Sequence, residues 1–535
     1  MKNAILRLSA LLTAVCLLAG IPLAYAADGF ESAYTYTYDY WEDLRHSPDA
    51  YRPLAFLTSA NLGLETPMNQ PQGLFVQDHE IYIVDTGNNR ILHLHEENSE
   101  FTLVGEPITQ FTGEVTDVRI YDIAGKPTLV RADDVLAGKV SVANVDEYTV
   151  PANTFNAPSD IYVDAEGTMY IADTANNRIV KLDKDLNYIR SFVQPVEEPY
   201  DQSKSFLPSK LVADTSGRVF CLATNVNQGV MKFEANGVFT AFIGAAPVKI
   251  SWYEIIWRLL STKEQRAQQA SAVATEYDNI CIDDSGFFYV VTQTFEEADL
   301  MTGAAEPVRR LNTQGTNILI DNGTFPPIGD IQWAGGDTNL KRTGPSLFVD
   351  VTVLENDIYV ALDEKQNRLF GYDKQGNMLW AFGGVGTELG YFNKPSAIEH
   401  MGNNLLVLDS LGNALTVMTP TEYGDLIFTA IDEYNHGAYD KSADTWQKVL
   451  ERNGNYDLAY IGVGRAEMQR GNYKTACDYF KMARDEENYS KAFQKYRSEL
   501  VKDNIGWIFG IVAVVLVVPP VLGKLRKIKW EVDNA

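Results

Sequence analysis

A mainly β chain of six repeated sheet units, followed by a helical segment and one membrane-spanning helix, is the architecture the sequence predicts. Three observations predict it. The heptad Asp85-Thr86-Gly87-Asn88-Asn89-Arg90-Ile91 returns as Asp173-Thr174-Ala175-Asn176-Asn177-Arg178-Ile179, identical at six of seven positions. From about Tyr423 the apolar period becomes helical, and a block opening at Gly437 recurs 34 residues on, at Gly471. Ile505 to Gly523 is an uncharged run of 19 residues, long enough to cross a bilayer.

The first 26 residues read as a secretory signal. Lys2 and Arg7 form a positive start, Leu8 to Leu23 an apolar stretch, and Ala24-Tyr25-Ala26 a small-residue cleavage site. Residues 27–50 are expected to be a linker or latch. Within them Tyr34, Tyr36, Tyr38, Tyr40 and Trp41 alternate as a strand would. Exposed aromatics of that kind can stack on sugars; an outer strand is the simpler reading. Tyr51 to Ser59 is expected to close the last sheet unit.

Both heptads lie between short period-2 apolar runs, which marks a hairpin. A hairpin repeated at a fixed period buries its faces only by stacking on its neighbours. Proline or aromatic residues open each copy about fifteen positions before the turn. Pro71, Pro158, Pro208, Tyr277, Phe348 and Pro395 lead to Asp85, Asp173, Ala223, Thr292, Asp363 and Asp409. These are six units over residues 51–420. Two gaps in the spacing predict insertions at about 113–151 and 246–271. The first reads as a β insertion rather than a decayed seventh unit. The second carries Trp252, Ile255, Ile256, Leu259 and Leu260 at helical spacing.

The runs Asn176-Asn177-Arg178-Ile179 and Asn367-Arg368-Leu369, with the linker Phe382-Gly383-Gly384 and Gly390 to Pro395, resemble the NHL-repeat family. The resemblance spans roughly residues 50 to 420 and implies a six-bladed β-propeller. Residues 421–500 resemble a tetratricopeptide (TPR) pair: Gly437-Ala438-Tyr439 and Gly471-Asn472-Tyr473 at the turns, Ala443 and Cys477 as small residues, Trp446 and Phe480 as large ones. Ser490 to Val501 is expected to cap the pair.

Lys524, Arg526, Lys527 and Lys529 follow the apolar run at once. By the positive-inside rule, 505–523 is a single transmembrane helix and 524–535 a cytoplasmic basic tail. The location expected is a cell membrane, single-pass, with the N-terminal domains extracytoplasmic. The net charge of −26 disfavours nucleic acid as a partner. Cys221, Cys281 and Cys477 sit among apolar residues and read as buried thiols rather than a disulfide framework.

No nucleophile elbow, phosphate loop or zinc-protease pattern is present, and Gly383-Gly384-Val385-Gly386 belongs to a blade linker. His93 and His95 share a strand face but lack a third metal ligand nearby in sequence. Because the Asp-Thr-x-Asn-Asn-Arg turn recurs, it is read as architecture, its Arg clamping the carboxylate of a neighbouring blade. Function is sought instead where equivalent positions differ. Two residues into each innermost strand stand Gly73, Asp160, Lys210, Asn279, Asp350 and Ala397. Asp160, Lys210, Asn279 and Asp350 are the candidate ligand-binding residues at the mouth of the channel. A wet channel that merely tolerates polar groups is the plainer reading.

The sequence therefore reads as a membrane-anchored scaffold for a protein or carbohydrate partner, with a place in a membrane transport assembly. The alternative is an enzyme resembling propeller lactonases and lyases, which would call for a divalent metal in the channel. No cofactor is identified, no catalytic residue is assigned, and no channel histidine is seen.

Overall fold

Alternating apolar residues form antiparallel strands, and the polar turns between them close each hairpin. The computed structural model describes residues 34–534, except 114, 116–117, 122–126, 131–152, 198, 225, 245–276, 294, 296, 301 and 333–343. The chain divides into two compact units, one of 1–37 and 49–421, the other of 38–48 and 422–535.

The first unit is a six-bladed β-propeller. Blade one is Gly73–Gln77, Glu80–Asp85, Arg90–Glu97 and Glu100–Leu103; blade two is Pro158–Val163, Met169–Asp173, Arg178–Leu182 and Tyr188–Val193. Blade three runs from Pro208–Ala213 to Phe239–Ile243, and blade four shows three strands from Asn279–Ile282 to Val308–Leu311. Blade five runs from Phe348–Val353 to Met378–Gly383 and gains the edge strand Thr35–Tyr38. Blade six joins Pro395–Met401, Asn404–Asp409 and Ala414–Pro420 to Tyr51–Thr58. The ring is thus shut by pairing the start of the propeller with its end. Each innermost strand touches the innermost strands of both neighbouring blades, all the way round.

Apolar clusters fill the spaces between blades. Blades two and three share Tyr170, Ile179, Phe192, Leu211 and Phe233, and blades six and one share Leu74, Ile83, Leu92, Leu406 and Val417. Val118–Tyr121 and Pro127–Val130 pair as a two-stranded sheet separate from the blades. The rest of the first insertion, the helical reading of the second and the signal segment lie outside the described residues.

The recurrent heptad forms a 3-10 turn, with Asn89 and Asn177 in the left-handed conformation at φ of 54° and 57°. Its arginine binds the carboxylate of its own turn, where the sequence expectation was that of a neighbouring blade. Arg90 Nε binds Asp85 at 2.7 Å and Arg178 Nε binds Asp173 at 2.8 Å, both within the same turn. The cross-link runs to the linker instead. Asp85 and Asp173 accept the backbone N–H of Asn69 and Asn156, and the arginines donate to the carbonyls of Thr66 and Thr154. A short antiparallel hairpin places Asp and Arg as directly opposed partners, so the nearest carboxylate is its own.

Blade five departs from this pattern. Arg368 binds Asp330 at 2.5 Å, and Tyr36 of the added edge strand donates to the same carboxylate. Asp363, the turn carboxylate, accepts three backbone N–H groups.

The second unit is helical: α1 (Glu422–Asn435), α2 (Tyr439–Arg452), α3 (Asp457–Arg470), α4 (Tyr473–Met482), α5 (Glu486–Asp503) and α6 (Ile505–Asp533). From α1 to α5 each helix packs against the next. Gly462 and Gly464 of α3 allow this approach, because a Cβ would stand 2.5 Å from Trp446 and 2.7 Å from Phe480. Residues 38–48 group with these helices. Tyr40 N–H donates to Asp457, Ser47 bonds Tyr423, and Arg484 lies over the Trp41 ring at 5.0 Å.

Helix α6 is long and apolar enough to cross a membrane, and none of its residues is buried. It extends through the basic residues to Asp533 rather than stopping at 523, since Lys, Arg and Leu are good helix formers.

Candidate functional site

Four inner strands open, on Pro158, Pro208, Phe348 or Pro395, with a break in the ladder one residue later. The register shifts between Pro158 and Asp160, Pro208 and Lys210, Phe348 and Asp350, and Pro395 and Ala397. Such a bulge re-aims the side chain that follows it. Here that is the ring position two residues into each strand.

A cavity of about 920 Å³ lies inside the ring of inner strands. Asp160, Lys210, Asn279 and Asp350 all line it. Gly73 and Ala397 do not. Ala397 is fully buried in the core between blades, and a Cβ at Gly73 would stand 2.7 Å from the Ser159 carbonyl.

Three of the four polar residues accept backbone N–H groups, and the fourth, Lys210, pairs with Asp160. Asp160 pairs with Lys210 at 3.7 Å and accepts the N–H of Leu211 at 2.9 Å. Asp350 accepts the N–H groups of Val351 and Ile398 at 2.7 and 2.8 Å. Asn279 accepts the N–H of Ile280 at 2.6 Å. These bonds fix the side chains before any ligand arrives.

The structure adds residues that the sequence reading did not single out. Glu399 and His400 of blade six line the cavity, with side chains 21% and 33% exposed. Thr352 of blade five bonds both, to Glu399 at 3.2 Å and to His400 Nδ1 at 2.8 Å. The expectation of a channel without histidine is therefore corrected. Glu399 and His400 lie two and three residues past the ring position Ala397, further along the inner strand than the aligned positions reach. Cys281 of blade four also faces the cavity, so this thiol is not simply a core residue.

Burial dominates the electrostatics. It pushes the Asp350 carboxyl up to about 7, against the opposing pull of Lys210 and two backbone N–H groups. Glu399 is held well above the usual carboxylate range by burial and by the charge of Asp350. Burial lowers His400, so the imidazole is neutral at neutral pH. For Lys210 burial acts to lower the pKa, but the carboxylates of Asp160, Asp350 and Glu399 outweigh it and the ammonium is held charged.

Eleven Asp and Glu side chains and two lysines line the cavity in all. Some of the acids have turn duties: Asp164, Asp214 and Asp283 each accept two backbone N–H groups of their own hairpin. Phe75 and Tyr162, both half-buried, supply aromatic surface on blades one and two, and Tyr170 lies wholly buried behind them.

On blade one, His93 and His95 share Glu80, at 2.6 and 2.8 Å, and His79 bonds Glu96 at 2.6 Å. Among the described residues no group of three or more His, Cys, Asp or Glu is placed to hold a metal ion, here or in the cavity.

No family model matches this sequence, and no curated protein matches it. Solved structures are similar to it at low identity. Virginiamycin B lyase from Staphylococcus aureus is 13% identical, with 68% of this chain and 98% of that chain covered and a TM-score of 0.36. A putative gluconolactonase is 8% identical over 73% and 98%, with a TM-score of 0.35. Regucalcin from Agrobacterium tumefaciens, a calcium-binding protein, is 11% identical over 70% and 95%, also at 0.35. Likeness at this level carries no statement about activity.

Proposed function

We propose that this protein is a membrane-anchored, extracytoplasmic binding scaffold whose propeller cavity takes a small polar ligand. One observation carries the reading. The positions equivalent by repeat diverge into Asp160, Lys210, Asn279 and Asp350, and these four converge on one cavity of about 920 Å³. Repeats whose equivalent positions diverge into polar groups where they meet a common space are what a binding site requires, and the volume suits a small organic molecule. The helical pairs α1–α2 and α3–α4, TPR-like in their Gly turns and small-against-large packing, offer a surface to a protein or carbohydrate partner. Helix α6 and its basic end would hold the chain in a membrane with the C-terminus inside, as a subunit of a transport assembly would be held.

The test of the cavity is a thermal-shift screen of the full-length protein in detergent, with cationic, anionic and neutral small molecules, on wild type and an Asp160→Asn/Asp350→Asn variant. A stabilising compound whose effect disappears in the variant supports the reading. Stabilisation that the variant keeps, or none from any class, overturns it. For topology, a C-terminal tag protected from protease in intact cells is expected.

A second reading, catalysis, is favoured by His400, a neutral base facing the cavity and oriented by Thr352. The divalent metal of the lactonase- and lyase-like alternative fits less well, since no three described donors converge. Metal analysis of the purified protein separates the two: a stoichiometric ion favours that enzyme.

A further inference from the structure

The cavity that serves as the binding site in the proposal above also shows what kind of molecule it suits. From its charge and its aromatic lining, we propose that the ligand is an organic ammonium ion, its cationic nitrogen seated between Asp350 and Glu399 and its carbon skeleton against Phe75 and Tyr162.

Three buried or half-buried carboxylates, Asp160, Asp350 and Glu399, share a single ammonium, that of Lys210. Lys210 is committed to Asp160 at 3.7 Å. Asp350 and Glu399 are left to backbone N–H groups and to the Thr352 hydroxyl. Charged carboxylates in such a place need a cation to offset their desolvation. A ligand cation supplies it without the tight convergence of donors that a metal demands, and the described residues lack that convergence.

The aromatic lining is the second, independent observation. Phe75 and Tyr162 lie with ring centroids 5.0 Å apart, and Tyr162 and Tyr170 6.3 Å apart, a continuous arc across blades one and two. Aromatic faces attract alkylated cations through the ring quadrupole. Lys181 already lies over the Tyr170 ring, 4.9 Å from its centroid. The Tyr170 hydroxyl is buried with no hydrogen-bond partner, although the residue lines the cavity. A buried hydroxyl left unmatched beside an open space is a donor and acceptor awaiting a ligand group.

Binding should be linked to protons. Asp350 and Glu399 face Lys210 on blade three, Asp160 on blade two, Asn279 and Cys281 on blade four, and Thr352 and His400 beside them. In the empty cavity burial favours their protonated forms. An ammonium ligand favours the ionised forms, so it must displace protons, and affinity falls as pH drops below about 7.

The experiment is calorimetric titration of the full-length protein in detergent micelles with putrescine, choline, glucose, phosphate and calcium chloride. Putrescine or choline is expected to bind at least about tenfold more tightly than the other three. Glu399→Gln should weaken that binding by about tenfold or more, and Phe75→Leu should weaken choline binding more than putrescine binding. Affinity should fall between about pH 8 and about pH 6. Equal or tighter binding of glucose, phosphate or calcium overturns the ammonium assignment, as does ammonium binding that Glu399→Gln leaves unchanged. If glucose or phosphate binds and Asp160→Asn/Asp350→Asn abolishes it, only the ligand class fails. If nothing binds, the cavity reading fails with it.

Discussion

The carboxylate of Asp350 accepts a hydrogen bond from the backbone N–H of Ile398 at 2.8 Å, so a cavity residue of blade five also fastens the inner strand of blade six. Asp160 does the same for blades two and three, through the N–H of Leu211 at 2.9 Å. Bulge, carboxylate and inter-blade bond recur three blades apart around the ring. These two residues therefore combine a structural duty with their place in the cavity.

The two carboxylates should differ in the cost of their removal. Asp350→Ala orphans the N–H of Ile398 and should cost about 1–3 kcal/mol. Asp160→Ala orphans the N–H of Leu211 and also strands the Lys210 ammonium, and should cost more, about 3–5 kcal/mol. Urea denaturation of both variants checks the order; an equal loss would mean that Lys210 finds another partner.

Asp363 gives a pH signature. Burial raises it from 3.8 to about 7, so between those values the folded chain keeps a proton that the unfolded chain has released. Stability from this group is full below the unfolded value and is lost as pH rises through the folded one. Asp363→Asn should flatten the decline of stability between about pH 4 and about pH 7, by comparison with wild type across a denaturation series. An unchanged slope would show that Asp363 does not hold the proton.

Arg178 is almost wholly buried against Asp173. Arg178→Ala leaves a buried carboxylate unpaired and should cost about 3–5 kcal/mol. The Asp173→Ala/Arg178→Ala double variant should be less destabilised than the two single losses summed, because the uncompensated charge is gone. Additive losses in a double-mutant cycle would rule out the coupling.

In the helical unit, Gly462→Ala places a methyl group against Trp446. Overpacking of that kind should cost about 1–3 kcal/mol, despite the better helix propensity of alanine. Circular dichroism melts of Gly462→Ala and of Gly462→Ala/Trp446→Leu test it, and the second change should restore part of the loss.

Much of the propeller was legible from residues alone. The alternation of Ile81 to Val84 and Met169 to Ala172, the Asp and Asn turns, and the leading prolines are local signals, because period and turn chemistry act over a few residues. The ring positions Asp160, Lys210, Asn279 and Asp350 could be aligned for the same reason. Glu399 and His400 could not, since their strand positions read as an ordinary alternation and only blade closure turns them towards Asp350. The partner of Arg90 was also misplaced: the sequence shows that a carboxylate recurs, while strand register decides which one is in reach.

By itself the sequence determined the number of repeats, the helical period of 34 residues after them, and an apolar helix able to span a membrane. These follow from short-range pattern. Only the tertiary structure decided the register in which Tyr51–Thr58, already expected to close the ring, pairs with Ala414–Pro420, that Arg368 leaves Asp363 for Asp330, and that side chains from blades one to six share one cavity. Those outcomes depend on segments hundreds of residues apart meeting across a closed circle, and local propensity carries no record of such encounters.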